Sequence, residues 1–215
     1  MIYLLIGILF FIFVFYYIIQ YIINQDVTYI DLSEGDKIDN EKNVDTKNKQ
    51  FSYSFWLYMV KPPSIESTIF SHEKDNTKII LSSQNSTLKL ALDDSMYIYL
   101  DNYLFQKWNY INIVYFAGTV EVYVNALLEK TLETPVQNIH TNSLVQTPIT
   151  IGNYDNTQQG WQKNSAYIAH FNYDPNSSYD QEKIMSLYKY QIQSLVKNDT
   201  MSVNVNLLKN GTPIN

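Results

Sequence analysis

The side chains best suited to chemistry in this chain are aromatic and acidic, and several gather around one short run, MYIYL. Asp93 and Asp94 precede that run and Asp101 follows it. Calcium takes several oxygen ligands from carboxylates and carbonyls, which makes these three the candidate metal ligands. Asn153, Asp155 and Asn156 form a second polar loop of the same character. Tyr97 and Tyr99 lie inside the run, Tyr103 lies just beyond it, and Trp161 lies in the polar segment Gly160-Trp161-Gln162. An aromatic face can stack on a sugar ring while amides and carboxylates bond its hydroxyls, so these four are candidate glycan platforms.

Catalytic sets are not visible. Glycoside hydrolysis needs two carboxylates facing one cleft. The nearest strand acid is Glu121 in TVEVYV, with no second carboxylate two or four residues away. Asp93 and Asp94 are adjacent, so on a strand they would point to opposite faces. The chain has three His, no Cys and no G-x-S-x-G. His72 reads as a loop residue beside Glu73 and Asp75, His170 as a strand residue, and all three His, with His140, as surface or satisfied side chains. Missing Cys excludes a disulfide scaffold and a thiolate metal site. The net charge is −6, and the 15 basic residues are all Lys without a cluster, which argues against a nucleic-acid partner. The expectation is a protein that is not an enzyme, with no cofactor other than calcium.

These residues need a scaffold, and the sequence divides into three parts: 1–25, 26–50 and 51–215. Ile2 to Ile23 carry no charge. At about 1.5 Å per residue they span roughly 33 Å as a helix, enough for a hydrocarbon core of about 30 Å. No Lys precedes the run and no A-x-A pattern follows it, so the segment reads as a retained transmembrane anchor, with the bilayer as its partner. Asp26, Asp31, Glu34 and Asp36 come before the first base, Lys37, which favours the large domain outside, while the absence of Cys keeps a cytosol-facing domain open. Val27 to Leu32 can form a short strand, and Ser33 to Gln50 reads as a stalk.

From Phe51 onward, short β-rich runs alternate with turn residues: FSYSFWLYMV, STIFSH, TKIILSS, TLKLAL, MYIYLD, WNYINIVYF, TVEVYVN and LLEKTLE. Strands at this spacing without intervening helices predict an antiparallel β-sandwich, so the fold class is all-β. The core set is Phe55, Leu57, Ile69, Ile80, Leu88, Leu90, Trp108, Ile111, Ile113, Val114, Val122, Val124 and Ile151. One C-terminal helix follows, capped by Ser178, with Ile184, Leu187, Tyr188, Ile192, Leu195 and Val196 at helical spacing. MSVNVNLL (201–208) reads as a last strand.

Five pieces in order resemble the laminin-G-like, concanavalin A-like jelly-roll domain. They are Phe55-Trp56, Trp108, Tyr123-Val124-Asn125, Ile151-Gly152, and Glu182-Lys183-Ile184 with Leu187-Tyr188. The resemblance covers about Phe51 to Tyr190 and implies a jelly roll in which Trp56 and Trp108 are core. Members sometimes hold calcium at one rim. Asn125-Ala126 departs from the family's Asn-Gly, so a different turn type is expected there. Ala166 to Phe171 also departs, with no Gly or acid where the family has them. The anchor, the composition rich in Tyr, Ile, Asn and Lys, and this sandwich together resemble lectin-like membrane proteins of large DNA viruses.

The resulting expectation is a membrane-anchored, non-catalytic structural or scaffolding protein that contacts other proteins, capsid proteins among them, as a minor virion component. A surface adhesin that binds glycans is the alternative, and a divergent, inactive glycoside hydrolase is the second.

Overall fold

A computed structural model describes residues 10–16, 28–39, 50–74, 77–92, 96–101, 103–134, 147–154, 160–198, 208–209 and 212–213. The chain divides into two units, Thr28–Tyr188 and a second made of Met1–Val27 with Lys189–Asn215. Each is considered by itself.

The first unit is a sandwich of two six-stranded antiparallel sheets. One sheet has the order β1 (Tyr29–Asp31), β12 (Ala166–Asp174), β3 (Gln50–Met59), β8 (Trp108–Phe116), β9 (Thr119–Val124), β10 (Leu127–Glu133). The other has the order β2 (Asp36–Ile38), β11 (Ile149–Ile151), β4 (Ser67–Lys74), β5 (Thr77–Gln84), β6 (Thr87–Leu92), β7 (Met96–Leu100). The all-β jelly-roll expectation therefore holds for the sandwich.

The strands form where alternation puts one apolar row between the sheets. In β3 that row is Phe51, Tyr53, Phe55, Leu57 and Met59, each at most 1% exposed. It meets Ile69, Phe70, Ile79 and Leu81 from the opposite sheet, with Phe171 and Tyr173 of β12 beside it. Most of the expected core is buried, but Ile80 and Trp108 are only partly so. Parity explains Ile80, which is out of phase with buried Ile79 and Leu81; Trp108 shares its face with buried Tyr110 and Val114 but stands at the first position of β8.

β1 and β2 belong to different sheets, and the turn Leu32–Gly35 carries the chain across. Ser33 to Gln50, read as a stalk, thus contains a paired strand of the sandwich. The crossing is held against the turn after β11: Gly152 N–H donates to the Ile69 carbonyl at 2.9 Å and Asn153 N–H to the Leu32 carbonyl at 2.9 Å. Gly35 and Gly152 have φ of +69° and +59°. A Cβ on Gly152 would run into the Leu32 backbone, and one on Gly35 into the Tyr154 backbone. The Ile-Gly pair in the sequence is thus a point where two backbones touch.

The β9–β10 turn corrects one expectation. Asn125 and Ala126 have φ of 53° and 64°, and Val124 pairs with Leu127. That is a two-residue hairpin with both residues left-handed, although Ala stands where Gly is usual. Asn125 locks it in place: its N–H donates to the Tyr110 carbonyl at 2.8 Å, and its Oδ1 accepts from the Tyr110 N–H at 3.0 Å.

The helix Gln181–Asn198 is also capped differently from the expectation. Asp180, not Ser178, accepts the Lys183 N–H at 2.8 Å. Ser178 instead donates to Gln50 at 3.3 Å. Within the first unit, Ile184 is fully buried and Tyr188 stacks on Trp56 at 5.5 Å.

In the second unit, residues 10–16 are helical and exposed, and β13 (Leu208–Lys209) pairs with β14 (Thr212–Pro213). Among the described residues no helix is long and apolar enough to cross a membrane. Most of the Ile2–Ile23 run, and 201–207 of the expected last strand, lie outside the described residues.

Gly152→Ala should destabilise the sandwich by about 2–4 kcal/mol, from the left-handed backbone together with overpacking. Urea unfolding checks this; a loss below 1 kcal/mol would show that the two turns do not touch.

Candidate functional site

The outer face of the second sheet, at β5, β6 and β7, is a regular grid. Register pairs Lys89 with both Ser82 and Tyr99, Ala91 with Ile80 and Tyr97, and Thr87 with Gln84, and the Thr87 hydroxyl donates to Asp101 at 3.0 Å. Ile98 and Leu100 point into the core, so Tyr97 and Tyr99 point outward, 41% and 51% exposed. Both are on β7, an edge strand, with side chains one pleat repeat apart, about 6.8 Å.

A charged pair backs these rings. Lys89 Nζ lies 4.6 Å from the Tyr97 ring centroid and 3.1 Å from Glu66 Oε1. The Ser82 hydroxyl donates to the same Glu66 oxygen at 2.8 Å. That hydroxyl, and then Lys89, hold the Glu66 carboxyl below its ordinary range. Glu66 in turn raises Lys89. An aromatic face over a cation is attractive, so Lys89 ties the Tyr97 ring to the sheet.

The predicted site residues separate. Tyr97 and Tyr99 come together on this face. Tyr103 and Trp161, expected as platforms, are each only 5% exposed and present no ring face to solvent. Trp161 donates its indole N–H to the Thr68 carbonyl at 2.6 Å, and Tyr103 packs edge-on to Phe105 at 5.0 Å. Burial raises the Tyr103 hydroxyl above its ordinary pKa. Of the calcium candidates, Asp101 accepts a hydrogen bond from Thr87 at 3.0 Å, while Asp93 and Asp94 lie outside the described residues. Among the described residues no group of three or more His, Asp or Glu could hold a metal ion.

His72 is not in a loop. It is a fully buried residue of β4, with Nδ1 2.7 Å from Tyr53 Oη and Nε2 3.2 Å from Thr147 Oγ1. His170 sits at φ 50°, where β12 slips register against β3, and burial lowers its pKa. His140 lies outside the described residues. Glu121 accepts from Tyr123 Oη at 2.7 Å, and that contact and burial push the Tyr123 hydroxyl up to about 12, burial being the larger cause.

One further aromatic surface escaped the sequence reading. On the outer face of the first sheet, Trp108 stacks with Tyr29 at 5.6 Å and lies against Tyr58 at 5.2 Å, all three partly exposed. The signal was present: Tyr58 and Trp108 are out of phase with the inward rows of their strands, Phe55 and Leu57 in β3 and Ile111 and Ile113 in β8.

The profile of a laminin G-type family described as Concanavalin A-like lectin/glucanases superfamily matches residues 32–172. No curated protein sequence matches the chain. Among solved structures, the binding domain of botulinum neurotoxin serotype D is 20% identical with a TM-score of 0.62, over 79% of this chain and 45% of that one. A structure described by the statement that cell entry of botulinum neurotoxin type C depends on interaction with two ganglioside molecules is 15% identical with a TM-score of 0.53, over 78% and 47%. The binding domain of botulinum neurotoxin DC in complex with rat synaptotagmin II is 17% identical with a TM-score of 0.53, over 77% and 46%. The chain spans less than half the length of these structures, and at such identities the likeness is one of fold.

Because its pKa is depressed in the fold, ionised Glu66 stabilises the sandwich at neutral pH, and this is lost as pH falls through the lowered value. Glu66→Gln should therefore melt below the parent at pH 7, and the gap should close as pH falls through the lowered Glu66 pKa. The pair is exposed, so the gap should stay under about 1 kcal/mol. A gap that persists at low pH would show that Glu66 acts through packing.

Proposed function

The chain belongs to the Concanavalin A-like lectin/glucanases superfamily, and on that premise we propose that it is a carbohydrate-binding protein without catalysis, held at a membrane by residues 2–23. The observation that carries this reading is the outward pair Tyr97 and Tyr99, backed by Lys89 and Glu66 and flanked by Thr87, Gln84 and Asp101. A ring face is negative at its centre and favours the polarised C–H face of a pyranose. Amide, hydroxyl and carboxylate groups beside it can accept and donate to the sugar hydroxyls. The rings sit on a strand, which limits the freedom lost on binding.

The family and the ligand named for one structural neighbour fit glycan binding better than the scaffolding expectation. A virion or capsid role has no observation behind it. A protein partner stays compatible, since one neighbour is a complex with synaptotagmin. The non-catalytic part of the proposal rests on Glu121, whose described partner is a tyrosine rather than a second carboxylate.

Full-length protein in detergent micelles, applied to a broad glycan array, tests this. Saturable binding to one glycan class is expected. Tyr97→Ala and Tyr99→Ala should each weaken it at least tenfold, about 1.4 kcal/mol. Chelation of calcium should leave it unchanged, since the contacts proposed for the sugar are ring faces and hydrogen bonds. Silence across the array from folded protein would overturn the reading.

Carbonate washing of membranes should leave the full chain in the pellet and release a chain lacking residues 1–25. Release of both would remove the anchor from the proposal.

A further inference from the structure

A small pocket opens between the β3–β4 connection and the segment that enters β12. Lys61, Pro62, Pro63, Ser64, Gly160, Gln162 and Ser165 line it, and its volume is about 70 Å³. That is room for about five waters, or for one charged substituent of a sugar rather than the whole ring.

Its walls are fixed. The Val60 N–H donates to the Ser165 carbonyl at 2.8 Å, and the Ser165 N–H donates to the Gln162 carbonyl at 3.0 Å. The Asn85 N–H donates to the Pro63 carbonyl at 2.8 Å. Trp161 is pinned from behind through Thr68. A Cβ on Gly160 would run into Ser67, so the strand approach on that side is close.

Two features of the lining point to a ligand. Ser165 is 8% exposed, and its Oγ is buried without a hydrogen-bond partner. A buried hydroxyl without a partner costs about 1–3 kcal/mol, so it favours any ligand that supplies one. The other feature is sign. The lining holds one cation, Lys61, and no carboxylate, in a chain of net charge −6. Lys61 has no ion-pair partner among the described residues, in contrast to Lys89. An ammonium, a donor hydroxyl and the Gln162 amide around a cavity of this size match a carboxylate.

We propose that this pocket binds the carboxylate of an acidic sugar residue, so that the protein prefers anionic over neutral saccharides. The inference rests on the carbohydrate-binding reading and names its substrate class. The connection that supplies Lys61 also supplies Glu66, which holds Lys89 beneath Tyr97. One connection therefore lines the pocket and, through Glu66, backs the tyrosine face.

The test is calorimetric titration of the full chain, in micelles, with sialyllactose, lactose and lactose extended by glucuronic acid. The acidic saccharides should bind at least tenfold tighter than lactose. That preference should fall at least tenfold in Lys61→Gln, and also in 0.5 M salt. Ser165→Ala should weaken the acidic saccharides alone; Lys61 is exposed, so its variant serves if the serine variant fails to fold. A response to sialyllactose only, or to the glucuronide only, assigns the class of acid. Lactose binding equal to that of both acids, or a preference untouched by Lys61→Gln, would overturn the proposal while leaving glycan binding intact. No binding of any saccharide, here or on the array, would remove both readings.

Discussion

The sandwich depends on the ring of Tyr53. It is fully buried in the middle of β3, and it stacks on Tyr173 at 4.7 Å within its own sheet. It also meets Phe70 of the opposite sheet at 5.1 Å, and its hydroxyl lies against His72. Phe51, Phe55 and Phe171 extend the same cluster. Each such ring contributes about 1.5–3 kcal/mol through burial, and favourable ring pairs add about 0.5–1.5 kcal/mol. Burial raises the Tyr53 hydroxyl well above its ordinary pKa, so it stays protonated and can serve the histidine. The polar pair thus satisfies itself inside an aromatic core.

That inward row fixes what faces out. Once Tyr53 and its neighbours at i±2 point inward, Trp56 and Tyr58 must point outward. Trp56 is covered by Tyr188 of the helix, while Tyr58 stays partly exposed beside Trp108. In the second sheet the inward Ile98 and Leu100 have the same effect on Tyr97 and Tyr99. The aromatic face proposed for ligand binding is thus the complement of the core, and Lys89 with Glu66 makes it specific.

Much of this was legible from alternation. β3, β6, β8 and β9 stand where the period of two put them, and the Ile151-Gly152 piece marks a real backbone contact. Trp161 and Tyr103 were not legible, because a polar neighbourhood in sequence says nothing about a fold that buries Trp161 against Thr68, 93 residues away. β2 was hidden by its charges, since a three-residue edge strand needs no apolar face. The Ser165 pocket was invisible for the same reason as Trp161: its two walls are separated by about a hundred residues of chain.

The sheet order also sets a timetable. β3 is flanked by β8 and β12, so its second neighbour is complete only at Asp174. At 5–20 residues per second, translation leaves Met59 waiting roughly 6 to 23 seconds for that strand. Through this interval FSYSFWLYM, uncharged and rich in β-formers, has at most one partner. The strand that organises the finished domain is therefore its most vulnerable segment while the chain is being made. Nascent chains should need protection there, and a ribosome stall before residue 166 leaves the segment open to self-association.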